Sequence, residues 1–412
     1  MGKTENRPMN VLQVCFKLPY PPNDGGAYSL YNSALSLLKT EQVNLTVLAM
    51  KQLKNKDDAA KIPTSFIDQT DFSFVEINNN INPFKAFLTI FQSTSYLANR
   101  FYSKSFENAL LELIHQHSFD IIQLEHSYLA VYLEAIRKNF SGKIVLRAQN
   151  VEHKIWESYL AQRKGVTPSN LYLRLMTKRL KTLETNALKK IDGLICLSKD
   201  DEAAFQILHP NLPKTVIPIG FDAEKLTHYF PKENSTKIYH LGSMDWLPNI
   251  QGIDWFLEQV LPKLQFLTKD FSLHLAGKNM SEKLKTLRLE NVVVDGEVPD
   301  SLTYQADKSI LIVPLLSGGG IRVKIIEALA LGKVIVSTSK GADGILFTHN
   351  ENILIADTPE DFAQALLFCL ESPELRKKLS KNAKILFEKQ YQLSPVGAQT
   401  VGFYEKLIAF KK

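Results

Sequence analysis

The sequence predicts an α/β protein built from two doubly wound parallel sheets, and three observations lead to this prediction. The chain has 412 residues, which is the length of two or three domains. Short runs rich in Val, Ile and Leu alternate with helical stretches, as is typical of parallel strands covered on both faces. The alternation stops near residue 218 and then restarts. The two sets of elements therefore belong to two domains.

Six strands are predicted before the restart and five after it. The first set occupies residues 11–16, 43–50, 72–77, 120–124, 143–147 and 193–197, with a helix over 27–40. The second set occupies residues 237–241, 271–276, 292–294, 310–314 and 334–337, with helices over 250–265 and 323–331. Prolines and a glycine mark residues 218–236 as a linker. We expect one domain at 1–217, another at 237–393, and a helix at 394–412 that could cross back to the first domain.

Composition and motif content exclude several classes of protein. No apolar run approaches the ~18 residues that span a bilayer, and residues 1–16 lack the core of a signal peptide, so we expect a cytoplasmic protein. Cys15, Cys196 and Cys369 are too few and too scattered for a disulfide framework or a metal site. The sequence contains no GxxxxGK[ST], no GxGxxG after a strand, no HExxH and no CxxC. These absences argue against a nucleoside triphosphatase, a typical nicotinamide enzyme and a zinc hydrolase.

The net charge of +6 is unevenly distributed, because the whole excess lies within residues 1–220. Such asymmetry indicates an anionic partner for the first domain. Its densest source is residues 163–190, where one acidic residue, Glu184, stands among eight basic ones interleaved with apolar side chains. A basic amphipathic helix could make a peripheral contact with an anionic membrane, and a solvated helix face is the alternative. No nucleic-acid-binding motif accompanies the segment, so nucleic acid is not an expected partner.

Two glycine-rich loops stand between a strand and a helix, which is where doubly wound sheets bind ligands. The first contains Gly25 and Gly26, which would let the backbone approach an anion at the start of a helix. A purely structural turn is the alternative there. The second loop is more specific, because it contains three consecutive glycines, Gly318, Gly319 and Gly320.

Two cations, Arg322 and Lys324, follow the second loop at the start of the next predicted helix. Cations are unfavourable at the positive end of a helix dipole, so an anion is expected beside them. We interpret the loop and both cations as a diphosphate site in which Glu327 accepts hydrogen bonds from ribose hydroxyls. The alternative is that Glu327 simply pairs with Lys324 on the helix surface.

With these motifs, the chain resembles the glycosyltransferases of the GT-B fold, close to family 4 or group 1, over essentially its whole length. The stretches that carry the resemblance are PYPPNDGGA at 19–27, FDIIQLEHS at 119–127, LRAQNVEHKIW at 146–156, HLGSMDWLPNIQGIDWF at 240–256, VVVDGEVPD at 292–300 and SGGGIRVKIIEALALGKVIVST at 317–338. The resemblance implies two Rossmann-like domains facing a cleft. It also implies sugar transfer from a nucleotide-diphosphate sugar, with retention of anomeric configuration and without an essential metal ion or other cofactor.

The sequence departs from the family pattern at two places. Many members carry two glutamates eight positions apart; the second matches Glu327, but the first falls on Gly319. Many also carry an Arg and a Lys after the first strand of the second domain, whereas residues 242–249 here read GSMDWLPN. We infer that Arg322 and Lys324 hold the diphosphate from the other side of the site, which would keep the positive charge opposite it.

The leaving diphosphate develops negative charge as its bond to the sugar breaks, and positioned donors stabilise that charge. The candidate donors are the glycines of both loops, together with Arg322 and Lys324. Glu125 and His126 end a predicted strand, and by resemblance this stretch contacts the donor sugar or the acceptor hydroxyl. Either side chain could act in proton transfer, and a hydrogen-bonded structural role is the alternative for His126.

Three further candidates, Arg147, Asn150 and Glu152, match an N-domain motif of the family. The alternative is that they cap the next helix, with Asn150 as its N-cap. The expected activity is that of a hexosyltransferase acting on a lipid-linked or oligo- or polysaccharide acceptor in glycan biosynthesis. A nucleotide-sugar epimerase of the same fold and an inactive nucleotide-binding partner subunit are the alternatives.

Overall fold

The computed structural model describes residues 7–53, 59–161, 163, 165, 167–226, 235–318 and 321–410. The chain forms two compact units, Met1–Gly220 with Val396–Lys412, and Phe221–Pro395. The boundary falls within the predicted linker, of which residues 227–234 lie outside the described residues. Within the described part of the chain, no helix combines the length and the apolar character needed to cross a membrane.

The N-terminal unit contains a seven-stranded parallel sheet in the order β3-β2-β1-β4-β5-β6-β7. Its strands are β1 (Met9–Cys15), β2 (Val43–Gln52), β3 (Asp71–Ile77), β4 (Ile121–Leu124), β5 (Lys143–Ala148), β6 (Gly193–Cys196) and β7 (Lys214–Val216). All six predicted strands are present. The seventh, β7, was not predicted, because three half-buried residues at a sheet edge carry too short an apolar pattern.

In the described residues of this unit, nine α-helices connect these strands, and apolar clusters form on both faces of the sheet. The helices are α1 (Gly25–Leu38), α2 (Thr64–Gln69), α3 (Pro83–Leu88), α4 (Tyr96–Asn99), α5 (Lys104–Gln116), α6 (Leu133–Asn139), α7 (Glu152–Ala161), α8 (Pro168–Leu188) and α9 (Lys199–Leu208). Short 3-10 helices occupy Ala59–Lys61, Thr89–Phe91, Ser127–Tyr132 and, across the unit boundary, Ala223–Leu226.

The C-terminal unit contains a six-stranded parallel sheet in the order β10-β9-β8-β11-β12-β13. Its strands are β8 (Lys237–Leu241), β9 (Ser272–Ala276), β10 (Val292–Gly296), β11 (Ile310–Val313), β12 (Val334–Ser337) and β13 (Leu354–Ile355). Its helices are α10 (Leu247–Trp255), α11 (Leu261–Leu267), α12 (Glu282–Lys285), α13 (Ser301–Ala306), α14 (Val323–Ala330), α15 (Pro359–Glu371) and α16 (Pro373–Gln390). The predicted helix over 250–265 is divided by a π-helical turn, Phe256–Val260, just before Pro262, which cannot donate a backbone hydrogen bond.

The last helix, α17 (Leu393–Ala409), belongs for most of its length to the N-terminal unit, although it follows the C-terminal one in sequence. Tyr404 is fully buried and its hydroxyl donates a hydrogen bond to Gln123 Oε1 of β4. A Cβ atom on Gly397 would lie 1.9 Å from the carbonyl oxygen of Ser36, so the helix approaches α1 as closely as only glycine allows.

Both sheets change winding direction beside their first strand. In the N-terminal unit the switch lies between β1 and β4, and in the C-terminal unit it lies between β8 and β11. Ligands of doubly wound sheets bind outside the carboxyl ends of the strands at this switch. The first glycine loop follows β1 and the second follows β11, so each lies at the ligand-binding edge of its own sheet.

Candidate active site

The second glycine loop packs against the loop that follows β8. Gly318 adopts a left-handed backbone with φ +95°, and a Cβ atom there would approach Pro248 Cγ to 3.0 Å and the Trp246 ring to 3.1 Å. Glycine is therefore required both by the backbone conformation and by the close contact. Gly319 and Gly320 lie outside the described residues.

Arg322 immediately precedes α14 and is buried. Its guanidinium group lies over the Trp246 ring, 5.0 Å from the ring centroid. Burial lowers the pKa of Arg322 to about 10, and nearby Asp343 opposes this shift. The guanidinium stays protonated at neutral pH, so a buried positive charge stands at the positive end of α14.

Lys324, in the first turn of α14, extends to β8 and to the first turn of α10. Its ammonium group donates a hydrogen bond to Asn249 Oδ1 at 3.1 Å and lies 3.4 Å from His240 Nε2. His240 is fully buried, and its Nδ1–H donates to the Ile312 carbonyl at 3.1 Å. Nε2 therefore keeps a lone pair for Lys324. Burial and the neighbouring ammonium hold the pKa of His240 well below its usual range, so the ring is neutral.

Gly242 provides the space in which this ammonium group lies. A Cβ atom on Gly242 would be 2.7 Å from Lys324 Nζ and 2.7 Å from Asn249 Nδ2. The cation of α14 thus lies beside the loop in which many members of the resembled family carry their own Arg and Lys. Burial and the charge of Arg322 lower the pKa of Lys324 to about 7, although Glu327 acts in the opposite direction. An anion placed here would restore the pKa and the full charge of Lys324.

Glu327 lies one turn further along α14 and is held by a chain of hydrogen bonds. Its Oε2 atom accepts from Gln305 Nε2 at 3.2 Å, and Gln305 Oε1 accepts from the Tyr239 hydroxyl at 2.7 Å. Tyr239 is fully buried, and burial together with Glu327 raises its pKa well above the usual value. The hydroxyl therefore remains a donor, and the carboxylate of Glu327 keeps one orientation.

Glu125, in the N-terminal unit, has no exposed surface. Its Oε1 atom accepts hydrogen bonds from Gln13, Ser33 and Gln123 at 2.6, 2.8 and 2.7 Å. Its Oε2 atom forms an ion pair with Arg147 at 2.9 Å. Both oxygens are thus occupied by groups of the protein interior. This geometry gives Glu125 and Arg147 a role in holding the ends of the central strands rather than in proton transfer to a substrate.

His126 is also engaged at both ring nitrogens. Its Nδ1 atom accepts a hydrogen bond from the Tyr128 backbone N–H at 3.1 Å, so Nε2 carries the proton and faces Glu152 Oε1 at 3.3 Å. Burial alone would raise the pKa of Glu152, but His126 and hydrogen bonds from Tyr128 and Asn150 lower it. In this arrangement His126 offers no lone pair to an acceptor hydroxyl; it is a hydrogen-bond donor held by a charged Glu152.

The start of α7 is capped from another helix. Glu184 of α8 accepts hydrogen bonds from the backbone N–H groups of Glu152 and His153 at 3.1 and 3.0 Å, and from His153 Nδ1 at 2.7 Å. The alternative in which Asn150 caps α7 is not what the structure shows, since a carboxylate distant in sequence accepts from the first N–H groups of the helix. Asn150 Nδ2 instead lies 3.5 Å from Glu152 Oε1.

The first glycine loop was predicted to be an open anion-binding site, but in the structure a carboxylate of the protein occupies the start of its helix. Gly25 and Gly26 begin α1, but the Asp24 carboxylate already caps the helix by accepting from the Ala27 N–H at 3.0 Å. Lys17 Nζ pairs with Asp24 at 2.6 Å. Burial would raise the pKa of Asp24, but Lys17 and the backbone N–H groups lower it, so the cap is charged. A ligand anion would have to share or displace this carboxylate.

The basic segment 163–190 is mostly α8, and its apolar face is not available to lipid. Met176, Leu180 and Leu188 of that face are at most 1% exposed, because they pack into the N-terminal unit. Lys164 lies outside the described residues. The exposed cations of α8 therefore form a solvated face, on which Leu171 is an isolated exposed apolar side chain.

Several residues of the site received no role from the sequence. His240, Asn249 and Trp246 lie within the stretch 240–256, and Tyr239 and Gln305 position Glu327. The available signal was a pair of polar residues inside the otherwise apolar strand β8. Within the described ranges, no cluster of three or more His, Cys, Asp or Glu side chains is arranged to hold a metal ion.

Comparison with known proteins bears on both units. Residues 235–372 match the model of the family described as glycosyl transferases group 1. A Klebsiella pneumoniae protein described as an uncharacterized 44.6 kDa protein in the cps region is 22% identical over 398 residues, covering 94% of this chain and 97% of that relative. Sucrose-phosphate synthase from Thermosynechococcus elongatus superposes with a TM-score of 0.68 at 15% identity, over 97% of this chain and 99% of that one. The Anabaena protein HepE in complex with UDP superposes with a TM-score of 0.63 at 14% identity, over 97% and 100%.

Two doubly wound parallel sheets with these relatives define the GT-B fold, which confirms the predicted fold class. The matched family region contains Arg322, Lys324 and Glu327. Residues 235–372 thus match the group 1 glycosyltransferases, and the chain is a glycosyltransferase of the GT-B fold.

Proposed function

We propose that this protein transfers a hexose-type sugar from a nucleotide-diphosphate sugar to a lipid-linked or oligo- or polysaccharide acceptor in glycan biosynthesis. The observation that carries the donor assignment is the position of the Lys324 ammonium group beside Gly242, with Arg322 one residue before α14. Two cations at a helix N-terminus are suited to a diphosphate. The similarity to HepE, whose structures contain UDP and UDP-glucose, and to a protein of a cps region supports this class of reaction.

The expected roles of the residues follow from the bond that breaks. Cleavage between the anomeric carbon and the phosphate oxygen leaves charge on the diphosphate, which Arg322 and Lys324 stabilise. Glu327 accepts hydrogen bonds from the ribose. Since Glu125 and His126 are both occupied, we assign the acceptor proton to the departing phosphate oxygen, while the acceptor oxygen bonds to the anomeric carbon on the same face. This route gives retention of configuration.

The first experiment is a panel of nucleotide sugars in which release of the nucleotide diphosphate is measured with and without candidate acceptors. Release that requires an acceptor, with a product of unchanged anomeric configuration by NMR, is the expected result. An epimerised or free sugar formed without acceptor would identify an epimerase instead. Tight binding without turnover of any nucleotide sugar would identify an inactive binding subunit.

Two variants test the site itself. Glu327→Ala should weaken binding of the nucleotide by roughly ten- to a hundredfold, because a charge-assisted hydrogen bond is lost. Replacing Arg322 and Lys324 together with Ala should reduce kcat by at least about a hundredfold. The control is the double change of Lys377 and Lys381 to Ala on the exposed face of α16. Unchanged turnover in the site variant would remove these cations from the reaction.

We also propose that transfer proceeds without a metal ion, because the two cations and the N-terminus of α14 supply the positive charge. Chelation by EDTA should leave the rate unchanged for the nucleotide sugar that the panel selects. Loss of activity in EDTA that Mg²⁺ or Mn²⁺ restores would contradict this proposal.

A further inference from the structure

Residues 81–91 of the N-terminal unit present a dense group of exposed apolar side chains. The segment comprises Ile81, Asn82, α3 and the 3-10 helix Thr89–Phe91. Between 37% and 77% of each of six apolar side chains is exposed to solvent: Ile81, Phe84, Phe87, Leu88, Ile90 and Phe91. The rings of Phe87 and Phe91 pack against each other with centroids 5.7 Å apart. A group of apolar side chains this dense on a solvent-exposed surface usually marks an interaction site.

Hydrogen bonds to the backbone of this segment hold it in the orientation that exposes these side chains. Arg179 of α8 donates hydrogen bonds to the carbonyl oxygens of Thr89 and Ile90, which lie where α3 ends. The Tyr172 hydroxyl donates to the Ala86 carbonyl at 3.1 Å. At the other end, the Asn82 N–H donates to the Tyr96 hydroxyl at 2.7 Å. The apolar side chains are thus held outward by a rigid support.

The charge around the segment indicates the chemistry of its partner. Residues 77–106 contain three basic residues, Lys85, Arg100 and Lys104, and no acidic residue. Within the described ranges, neither Lys85 nor Arg100 forms an ion pair. A cationic surface with protruding aromatic side chains is the composition that binds the interface of an anionic membrane.

A polar cavity opens beside the apolar side chains. It has a volume of about 390 Å³, and its lining includes Ile81 and Leu88 from the apolar group. Lys85 and Arg100 line the same cavity, together with asparagine, glutamine and tyrosine side chains. The apolar side chains thus lie beside a polar cavity that contains two cations. This arrangement suits a lipid with an anionic head group, whose acyl chains would contact the apolar side chains.

We propose that residues 81–91 dock this protein onto an anionic lipid membrane, with the aromatic side chains in the interfacial region and a lipid head group in the adjoining cavity. The surface would bring a lipid-linked acceptor to the N-terminal unit. Vesicle binding does not require transfer activity, so the proposal can fail or succeed independently of the proposed function.

The basic face of α8 is a different surface and serves as a control. Arg174, Lys178 and Lys181 are exposed and lie at i, i+4 and i+7, so they share one face of the helix. Tyr172 and Arg179, which contact residues 81–91, lie on the other side of the same helix.

The test is co-sedimentation of the full chain with vesicles of equal parts phosphatidylglycerol and phosphatidylcholine, or of phosphatidylcholine alone. The triple change Phe84→Ser, Phe87→Ser and Phe91→Ser should reduce partitioning to anionic vesicles at least about tenfold, since three aromatic side chains lose their burial. The control Ile207→Ser with Phe266→Ser, two exposed positions elsewhere, should bind like the wild type.

Charge is tested separately. Lys85→Gln with Arg100→Gln should reduce the preference for anionic vesicles by roughly fivefold per charge. Neutralising Arg174, Lys178 and Lys181 should have a smaller effect despite removing one charge more. An unchanged thermal midpoint in each variant establishes that the fold is retained.

Four outcomes would overturn the proposal. The wild type could fail to bind either vesicle, or the triple variant could bind as well as the wild type. A dimer of the wild type that the triple variant no longer forms would show that a second copy covers this surface. Release from vesicles by millimolar glycerol phosphate would assign the cavity to a soluble anion rather than to a membrane lipid.

Discussion

Lys324 is the central residue of the proposed donor site. Its ammonium group is held by a neutral imidazole and a buried amide, His240 and Asn249. Neither partner supplies a negative charge, and Arg322 is close enough to lower the pKa further. Glu327 opposes this shift without cancelling it, so an added anion would stabilise the charged form of Lys324.

This environment predicts a pH-dependent affinity for the donor. The pKa of Lys324 is about 7 without ligand, and only the protonated form attracts a diphosphate. Affinity should be highest below pH 7 and should fall as pH rises through 7, by at most roughly tenfold per pH unit. Isothermal titration calorimetry between pH 6 and 9 measures this for the nucleotide sugar selected by the panel. A nucleotide sugar is preferable to a free diphosphate, whose terminal phosphate titrates in the same range.

The matched variant is Lys324→Arg, whose guanidinium remains protonated throughout this range. It should bind the donor with an affinity that does not change between pH 6 and 9. An equal fall in the wild type and in the variant would attribute the pH dependence to another group.

In the N-terminal unit, Glu184 is the residue whose removal we expect to lower the stability of the fold. Its carboxylate is 1% exposed, caps α7 and pairs with buried His153. Glu184→Ala should lower the free energy of unfolding by about 2–4 kcal/mol, because a cap is lost and a buried partner remains unsatisfied. Urea denaturation measures this, with Glu157→Ala on the exposed face of α7 as the control. A change below about 0.5 kcal/mol, as is usual for surface sites, would show that the cap is dispensable.

At the scale of elements, the proposed donor site depends on two segments that approach each other, one after β8 and one at the start of α14. The loop after β8 contributes Gly242 and Trp246, and the first turn of α10 contributes Asn249. The cations Arg322 and Lys324 lie at the start of α14. Residues 242–249 lack the Arg and the Lys that many group 1 glycosyltransferases carry there. Gly242 leaves the space that the ammonium group of Lys324 occupies.

Gly242→Ala should therefore weaken donor binding while leaving the unit folded. The added Cβ would lie 2.7 Å from the ends of two side chains, Lys324 and Asn249, which can move aside without disturbing the backbone. We expect about a tenfold weaker affinity by calorimetry. Gly402→Ala, where a Cβ meets nothing within 4 Å, is the control. Wild-type affinity in Gly242→Ala would show that the position of the ammonium group is not critical.

At the scale of the whole molecule, the end of the chain completes the fold of its beginning. Phe403, Tyr404 and Leu407 of α17 are buried in the same cluster as Val145 and Ile195 of the first sheet. The N-terminal unit is thus formed from both ends of the sequence.

Truncation after Pro395 should therefore destabilise the N-terminal unit, although all strands of that unit remain. Limited proteolysis should cut between residues 1 and 220 much faster than in the full chain, and the thermal midpoint should fall. The control is truncation after Ala409, which leaves the buried residues in place. Equal protection of both truncated proteins would show that α17 contributes little to the unit.

The sequence by itself determined the fold class, the two glycine loops and the two cations at the start of α14. These features are local: strand and helix periodicity, a turn and the start of a helix are set by residues within a few positions of one another. The same local motifs identified Glu327 and the family.

Only the tertiary structure decided what these residues contact. Glu125 became an interior ion-pair partner because Arg147 lies on the neighbouring strand, and Glu184 capped α7 from a helix more than thirty residues away in sequence. Lys324 contacts His240, which lies 84 residues away in the sequence. Packing brings such distant segments into contact, so no local pattern in the sequence could have shown these partners. Packing also leaves the apolar side chains of residues 81–91 on the surface, which local periodicity does not reveal.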